Sequence, residues 1–159
     1  MDTEKIEWFL RGNWAPLSEE KELNDLKVDG SIPTELDGIY VRTGPNPKDG
    51  KGSHWFLGDG MVHGIRLKKG KAEWYRNRFV QTPDITEPLT DPMAGLGDLR
   101  RGKGNTHVVA HNEQIMCLEE AHWPWTINAD LETTGVLNYE GKLDCSMTAH
   151  PKVCPVTGE

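Results

Sequence analysis

The chain has 159 residues, a formal net charge of −7, 36% hydrophobic residues, 17 glycines and 10 prolines, and no apolar run near the ~18 residues a membrane-spanning helix needs. The acidity is concentrated at the start, where residues 1–37 carry ten acidic and four basic side chains. The remainder is nearly balanced, so no nucleic-acid surface is expected.

Glycine and proline spread over the whole length favour short strands and turns, which makes all-β the expected class. In chain order, Glu4–Leu10 reads as a short helix, and Leu17–Val28 as a helical turn or irregular arm. Residues 1–37 are therefore taken as an N-terminal arm and 38–159 as the main domain. Gly38–Arg42 is a single strand within a punctuated stretch. Met61–Lys68 alternates, with Met61, His63, Ile65 and Leu67 on one face, and the turn Lys68–Lys71 leads into Ala72–Val80 as a β-hairpin. His63, on the apolar face, is expected to be a hydrogen-bonded structural histidine. The six basic residues from Arg66 to Arg78 read as a solvated strand face. Gln81–Gly104 is a long loop with a helical turn near Met93–Leu99. A second hairpin follows, Thr106–Ala110 with Gln114–Glu120, and Val136–Tyr139 and Lys142–His150 complete the strands around Glu140-Gly141. Spaced hairpins of this kind suit a sandwich, barrel or propeller, and no repeat is clear enough to choose among them.

The first residues, Met1–Lys5, are polar and acidic, unlike a secretory leader. Cys117, Cys145 and Cys154 form no CxxC pair, so free thiols in a reducing compartment, the cytoplasm, are expected. No phosphate-binding loop, nucleophile elbow or EF-hand loop occurs, and Gly95-x-Gly97 lacks the rest of a dinucleotide fingerprint. His107 and His111 are four apart, but on a strand that is ~13 Å, too far for two imidazoles on one metal. His54 and His122 stand beside aromatic residues and read as loop or core packing. His150 follows small residues, closes a candidate strand and precedes Pro151, so it can project from a strand end into a cavity.

Five segments together carry a resemblance: Gly12–Pro16 (GNWAP), Gly38–Pro47 (GIYVRTGPNP), His54–His63 (HWFLGDGMVH), Asn105–Val108 (NTHV) and Met147–Lys152 (MTAHPK). In order and number they resemble the carotenoid cleavage oxygenases, a family of carotenoid, apocarotenoid and lignostilbene dioxygenases. The resemblance covers the N-terminal portion of a member. It implies part of a seven-bladed β-propeller that holds one Fe(II) on four histidines at the end of a mostly apolar tunnel. His150 matches the first of those ligands, and the other three are expected outside this chain. Glu120 matches a carboxylate that hydrogen-bonds an iron-ligating histidine, fixing its tautomer. Thr106 matches a residue near the vacant position on iron, and Phe56 a tunnel-lining aromatic. A strand threonine, a solvated hairpin end and core packing are the plain alternatives for Thr106, Glu120 and Phe56.

The implied reaction cleaves a carbon–carbon double bond with dioxygen and leaves aldehyde or ketone ends. The implied partners are dioxygen and an apolar conjugated substrate, together with peripheral membrane contact. Glu119 stands where stilbene-cleaving members carry a lysine, and a carboxylate repels a phenolate. A carotenoid or apocarotenoid is therefore preferred to a stilbene. Leu57 and Cys154 also depart from the family's usual aspartate. The alternatives are a stilbene-cleaving dioxygenase, a polyene isomerase and a non-catalytic apolar-ligand-binding fragment. An isolated fragment with one ligand of four is expected to be inactive.

Overall fold

Residues 6–159 are described by the computed structural model, and eight strands order them: β1 (Glu22–Asn24), β2 (Gly38–Pro45), β3 (Gly60–Lys68), β4 (Lys71–Phe79), β5 (His107–His111), β6 (Gln114–Leu118), β7 (Trp125–Ile127) and β8 (Thr133–Val136). They form two four-stranded sheets, ordered β1-β4-β3-β2 and β5-β6-β7-β8, with every pairing antiparallel. The all-β expectation holds. Among the described residues the α-helical content is one turn, α1 (Pro83–Thr86), which starts on a proline whose fixed φ suits that position.

Both expected hairpins form, because their turns are encoded locally. Lys69 and Gly70 between β3 and β4 both have positive φ, as do Asn112 and Glu113 between β5 and β6, the backbone that two-residue hairpin loops require. The two-faced alternation expected for β3 fades where the strand is central. Met61 and Val62 point to opposite faces, yet both are fully buried. The Val62 face joins Val80, Cys117, Trp125, Ile127 and Leu131 in a core that spans the two sheets. Burial there pushes the Cys117 thiol up to about 12, and all three cysteines are free. Arg76 of β4 ties the sheets together again by pairing with Glu22 of β1 and with Asp130 ahead of β8.

The arm corrects the reading of Leu17–Val28 as a helical turn or irregular segment. Within it β1 pairs with β4, Leu23 opposite Tyr75. The arm is held by two buried amides from the main domain. Asn46 receives the Leu17 N–H at 2.7 Å and donates to the Leu17 carbonyl at 2.9 Å. Asn77 receives the Lys21 N–H at 2.7 Å and donates to the Glu19 carbonyl at 2.9 Å. Of the expected helix Glu4–Leu10, Glu4 and Lys5 lie outside the described residues, and Trp8–Leu10 is a single 3-10 turn.

The end of the chain brings a second correction. Lys142–His150 is not a strand, and Val136–Tyr139 contributes only the last residue of β8. Tyr139, Glu140 and Gly141 all take positive φ, which turns the chain away from the sheet edge, while β7 and β8 complete the second sheet. The long loop Gln81–Gly104 is present, with 3-10 turns at Pro92–Gly95 and Leu99–Arg101 that overlap the two ends of the helical turn expected near Met93–Leu99. One ion pair, Lys103 to Asp59, pins its end just ahead of β3, and two more to Asp84 close the loop on itself. Lys103 Nζ lies 3.1 Å from Asp59 and 2.9 Å from Asp84, and Arg101 lies 2.9 Å from Asp84. Burial pulls the Lys103 pKa down, but the two carboxylates outweigh it and the net direction is up.

His63 is the hydrogen-bonded structural histidine that its position foretold, with Nδ1 2.8 Å from the Tyr75 hydroxyl. Burial, reinforced by Arg42, lowers its pKa to about 4. Unfolding returns it to about 6.5, so the unfolded chain binds the extra proton between those values and stability is lost as pH falls from about 6.5 to about 4. The loss attributable to this group is roughly 2–3 kcal/mol. Urea unfolding of wild type and His63→Gln across that range should show the difference shrinking toward acid. Parallel pH profiles would contradict it.

Candidate active site

The segment Met147–His150 takes its place from side chains, not from a ladder. Ala149 is fully buried, packed with Met116 and Leu118 of β6. Its N–H donates to Glu120 Oε2 at 3.1 Å, and its carbonyl lies 2.8 Å from His107 Nδ1 at the start of β5. Glu120 Oε2 also accepts the Thr148 hydroxyl at 3.3 Å, and Thr148 Oγ1 in turn accepts the His150 N–H at 3.1 Å. His150 therefore leaves a bend, not a strand end. Its imidazole is largely exposed, with Nε2 3.1 Å from Glu120 Oε1 and the ring stacked on His107 at 6.1 Å between centroids.

Phe56 arrives from the other sheet's loop. It sits in the 3-10 turn Trp55–Leu57, capped by its N–H donating to His54 Nδ1 at 3.2 Å. The buried amide of Asn105 donates to the Phe56 carbonyl at 2.9 Å and to the Gly58 carbonyl at 2.7 Å, which sets that turn against the approach to β5. Thr106, next in sequence, is exposed. Its N–H donates to the Leu118 carbonyl at 3.0 Å and its hydroxyl to Asn105 Oδ1 at 3.1 Å.

Phe56, Thr106, Glu120 and His150 thus line one cavity of about 500 Å³, with Asn105 and Glu119 also in its wall. A neighbouring cavity of about 650 Å³ shares Phe56, Leu57, Asn105 and Glu119 with the first and continues past Leu89 and Leu96. Most of that larger wall is carbon, while its cations, Arg101 and Lys103, are already paired to Asp84 and Asp59. Among the described residues no group of three or more His, Cys, Asp and Glu side chains is placed to hold a metal ion. His107 and His111 stand at opposite ends of β5 and form no joint site.

Residues 14–159 match the family described as retinal pigment epithelial membrane protein. The chain belongs to this family. It is 42% identical to a carotenoid cleavage oxygenase of Mycobacterium tuberculosis and 38% identical to carotenoid 9,10(9',10')-cleavage dioxygenase 1 of Arabidopsis thaliana, each match covering 95% of the chain. Those matches take in 32% and 34% of the relatives, so the chain spans about a third of the length of the curated relatives it resembles. Among solved structures, the lignostilbene dioxygenase of Pseudomonas brassicacearum superposes with a TM-score of 0.79 at 30% identity, over 94% of this chain and 35% of that one. The named relatives are oxygenases, and the two sheets of this retinal pigment epithelial membrane protein family member are blades of the carotenoid-oxygenase propeller.

Sequence reasoning missed two residues that position this site. His107 reads in the sequence as a partner for His111 and as part of the Asn105–Val108 motif, yet it holds the peptide that presents His150. Asn105 was noted only within a motif, and its buried amide sets the Phe56 turn. An asparagine between a glycine and the start of a strand was the available signal.

Proposed function

We propose that this chain is part of a non-haem Fe(II) dioxygenase that cleaves a double bond of a carotenoid or apocarotenoid into aldehyde or ketone ends. The observation that carries the reading is the convergence of His150, Glu120, Thr106 and Phe56, drawn from three separate stretches of sequence, on one cavity. The donors suit iron in type. A neutral imidazole is a fitting ligand, and Glu120, by accepting from Nε2–H, would leave the Nδ1 lone pair of His150 for a metal. Three more histidines, from outside the chain, belong to this proposal. Iron held by imidazoles supplies a place for dioxygen to bind beside an alkene.

In this reading His150 holds the metal and Glu120 fixes both its tautomer and the peptide beneath it. Thr106 restricts access of water and oxygen. Phe56 and Leu57 line the path along which the polyene reaches the metal. The test is full-length protein supplied with Fe(II), an apocarotenal and ¹⁸O₂. Two carbonyl products carrying label would support cleavage. An isomer with unchanged carbon number would replace dioxygenase by isomerase, and binding without conversion would leave an apolar-ligand carrier.

Domain organisation as an arm, 1–37, on a propeller domain beginning at residue 38, and a cytoplasmic location, belong to the same proposal. Fractionation of cells producing a tagged full-length chain checks the location. Peripheral membrane contact is also proposed, supported by the exposure of Met93 and Leu96 on the loop beside the larger cavity. Co-sedimentation with lipid vesicles should fall severalfold in Met93→Asp/Leu96→Asp as the apolar contact is lost. Undiminished sedimentation of that variant would contradict it.

A further inference from the structure

Glu119 lines both cavities, and His122 lines the larger one beside it. One carboxylate oxygen of Glu119 accepts the Ala121 N–H at 3.2 Å, and the other is hydrogen-bonded to His122 Nδ1. The His122 backbone is fixed on both sides. Its carbonyl accepts the Met147 N–H at 3.1 Å, and the N–H of Trp123 donates to the Leu99 carbonyl at 2.8 Å. Gly102 lies so close beneath that a Cβ there would come within 2.5 Å of His122 Cβ and 3.2 Å of Glu119 Oε2. The pair is therefore preorganised and partly sheltered, with His122 and Glu119 side chains 30% and 22% exposed.

In the neutral imidazole, a carboxylate on Nδ1 keeps the proton on that nitrogen and leaves Nε2 as a hydrogen-bond acceptor. The ring bearing this acceptor belongs to a wall whose apolar side chains include Phe56, Leu57, Leu89 and Leu96, and whose polar ones include Asp84, Arg101, Lys103 and Asn105. The cations nearby are taken by Asp84 and Asp59. Such a wall receives an apolar body carrying one neutral donor. An anionic end group finds no free cation and meets the Glu119 charge.

We propose that His122, oriented by Glu119, accepts a hydrogen bond from a hydroxyl on the terminal ring of the substrate, so that this chain prefers hydroxylated ends to unsubstituted ones. The proposal rests on the proposed function for the nature of the apolar body. His122 is then a specificity-determining residue and Glu119 a positioning residue. The donor chemistry is shared by a ring alcohol and a neutral phenol.

The test measures binding by tryptophan fluorescence on full-length protein without dioxygen, so turnover plays no part. The probes are β-ionone against 3-hydroxy-β-ionone, and stilbene against 4-hydroxystilbene. Wild type should favour the hydroxylated member of at least one pair by roughly three- to tenfold, and the pair that responds identifies alcohol or phenol as the source. His122→Phe should lose the preference while keeping its affinity for the unsubstituted ring. Glu119→Ala should lose it too, and Glu119→Gln should retain it, because the amide oxygen still accepts from Nδ1–H. If His122→Phe binds neither ring, the Glu119→Ala and Glu119→Gln comparison decides. No preference in wild type, or a preference that survives His122→Phe or Glu119→Ala, overturns the assignment. Because the readout is binding, absence of cleavage would remove the proposed function and leave this result standing.

Discussion

Replacing His150 with alanine is expected to reduce turnover of full-length, iron-supplied protein by more than about 100-fold, beyond the ~10–100-fold typical of losing an outer-shell partner of a metal ligand. Stability of the iron-free protein should barely change. The peptide that presents the ring is anchored by Ala149, whose side chain is buried against β6 and whose N–H and carbonyl meet Glu120 and His107. The imidazole itself is 64% exposed, and its contact with the half-exposed Glu120 is of the surface kind, worth under about 1 kcal/mol. A catalytic loss, with a melting temperature unchanged when both proteins are compared free of iron, is thus the expected pair of results. Iron content measured in the same preparations should fall in parallel. Full activity in an iron-replete His150→Ala protein would remove His150 from the metal site.

Gly60→Ala should produce the largest loss of stability from a single methyl group. Gly60 opens β3 opposite Pro45, and its carbonyl accepts the Val80 N–H at 2.8 Å. A Cβ at this position would lie 2.1 Å from the Lys103 carbonyl oxygen and 3.0 Å from that of Gly104. Both are backbone atoms, so no rotamer change relieves the overlap. The 103–104 peptide must move, although the Thr43 hydroxyl holds the Gly104 carbonyl at 2.9 Å and Lys103 is paired to Asp59 and Asp84. We expect a cost of about 3 kcal/mol, at the upper end for forced overpacking, and a fall in Tm of about 6–12 °C. Gly38→Ala is the control, since a Cβ there meets nothing within 4 Å. Equal melting temperatures for the two variants would show that the close approach at Gly60 is not needed.

The close approach at Gly60 also shows why part of the site is readable in the sequence and part is not. Gly58-Asp59-Gly60 stood out as a motif segment, but its reason is contact with residues more than forty positions onward. Asp59 reaches Lys103 Nζ, and Gly60 admits the Lys103 carbonyl. The two long hairpins were legible because β3–β4 and β5–β6 are closed by turns whose positive-φ residues lie between the strands they join. Strand β1 was not, since its place depends on Asn77 and Asn46, each far along the chain. The expected strand Lys142–His150 failed for the same kind of reason. Its backbone at Met147 and Ala149 is satisfied by the His122 carbonyl, Glu120 and His107, none of them local, while Lys142, Leu143 and His150 donate within turns.

By itself the sequence determined the all-β class, the two main hairpins, the family resemblance and the four residues, His150, Glu120, Thr106 and Phe56, from which a site was expected. The class and the hairpins follow from turn chemistry and alternation, which act over a few neighbouring residues, and the four site residues are what the resemblance implies. Only the tertiary structure decided that the arm adds a strand, that His150 is presented by a bend pinned to His107 and Glu120, and that Glu119 pairs with His122 at the junction of two cavities. These depend on hydrogen bonds and close packing between segments brought together by the sheets, and the pairing of distant groups leaves no periodic trace in the chain.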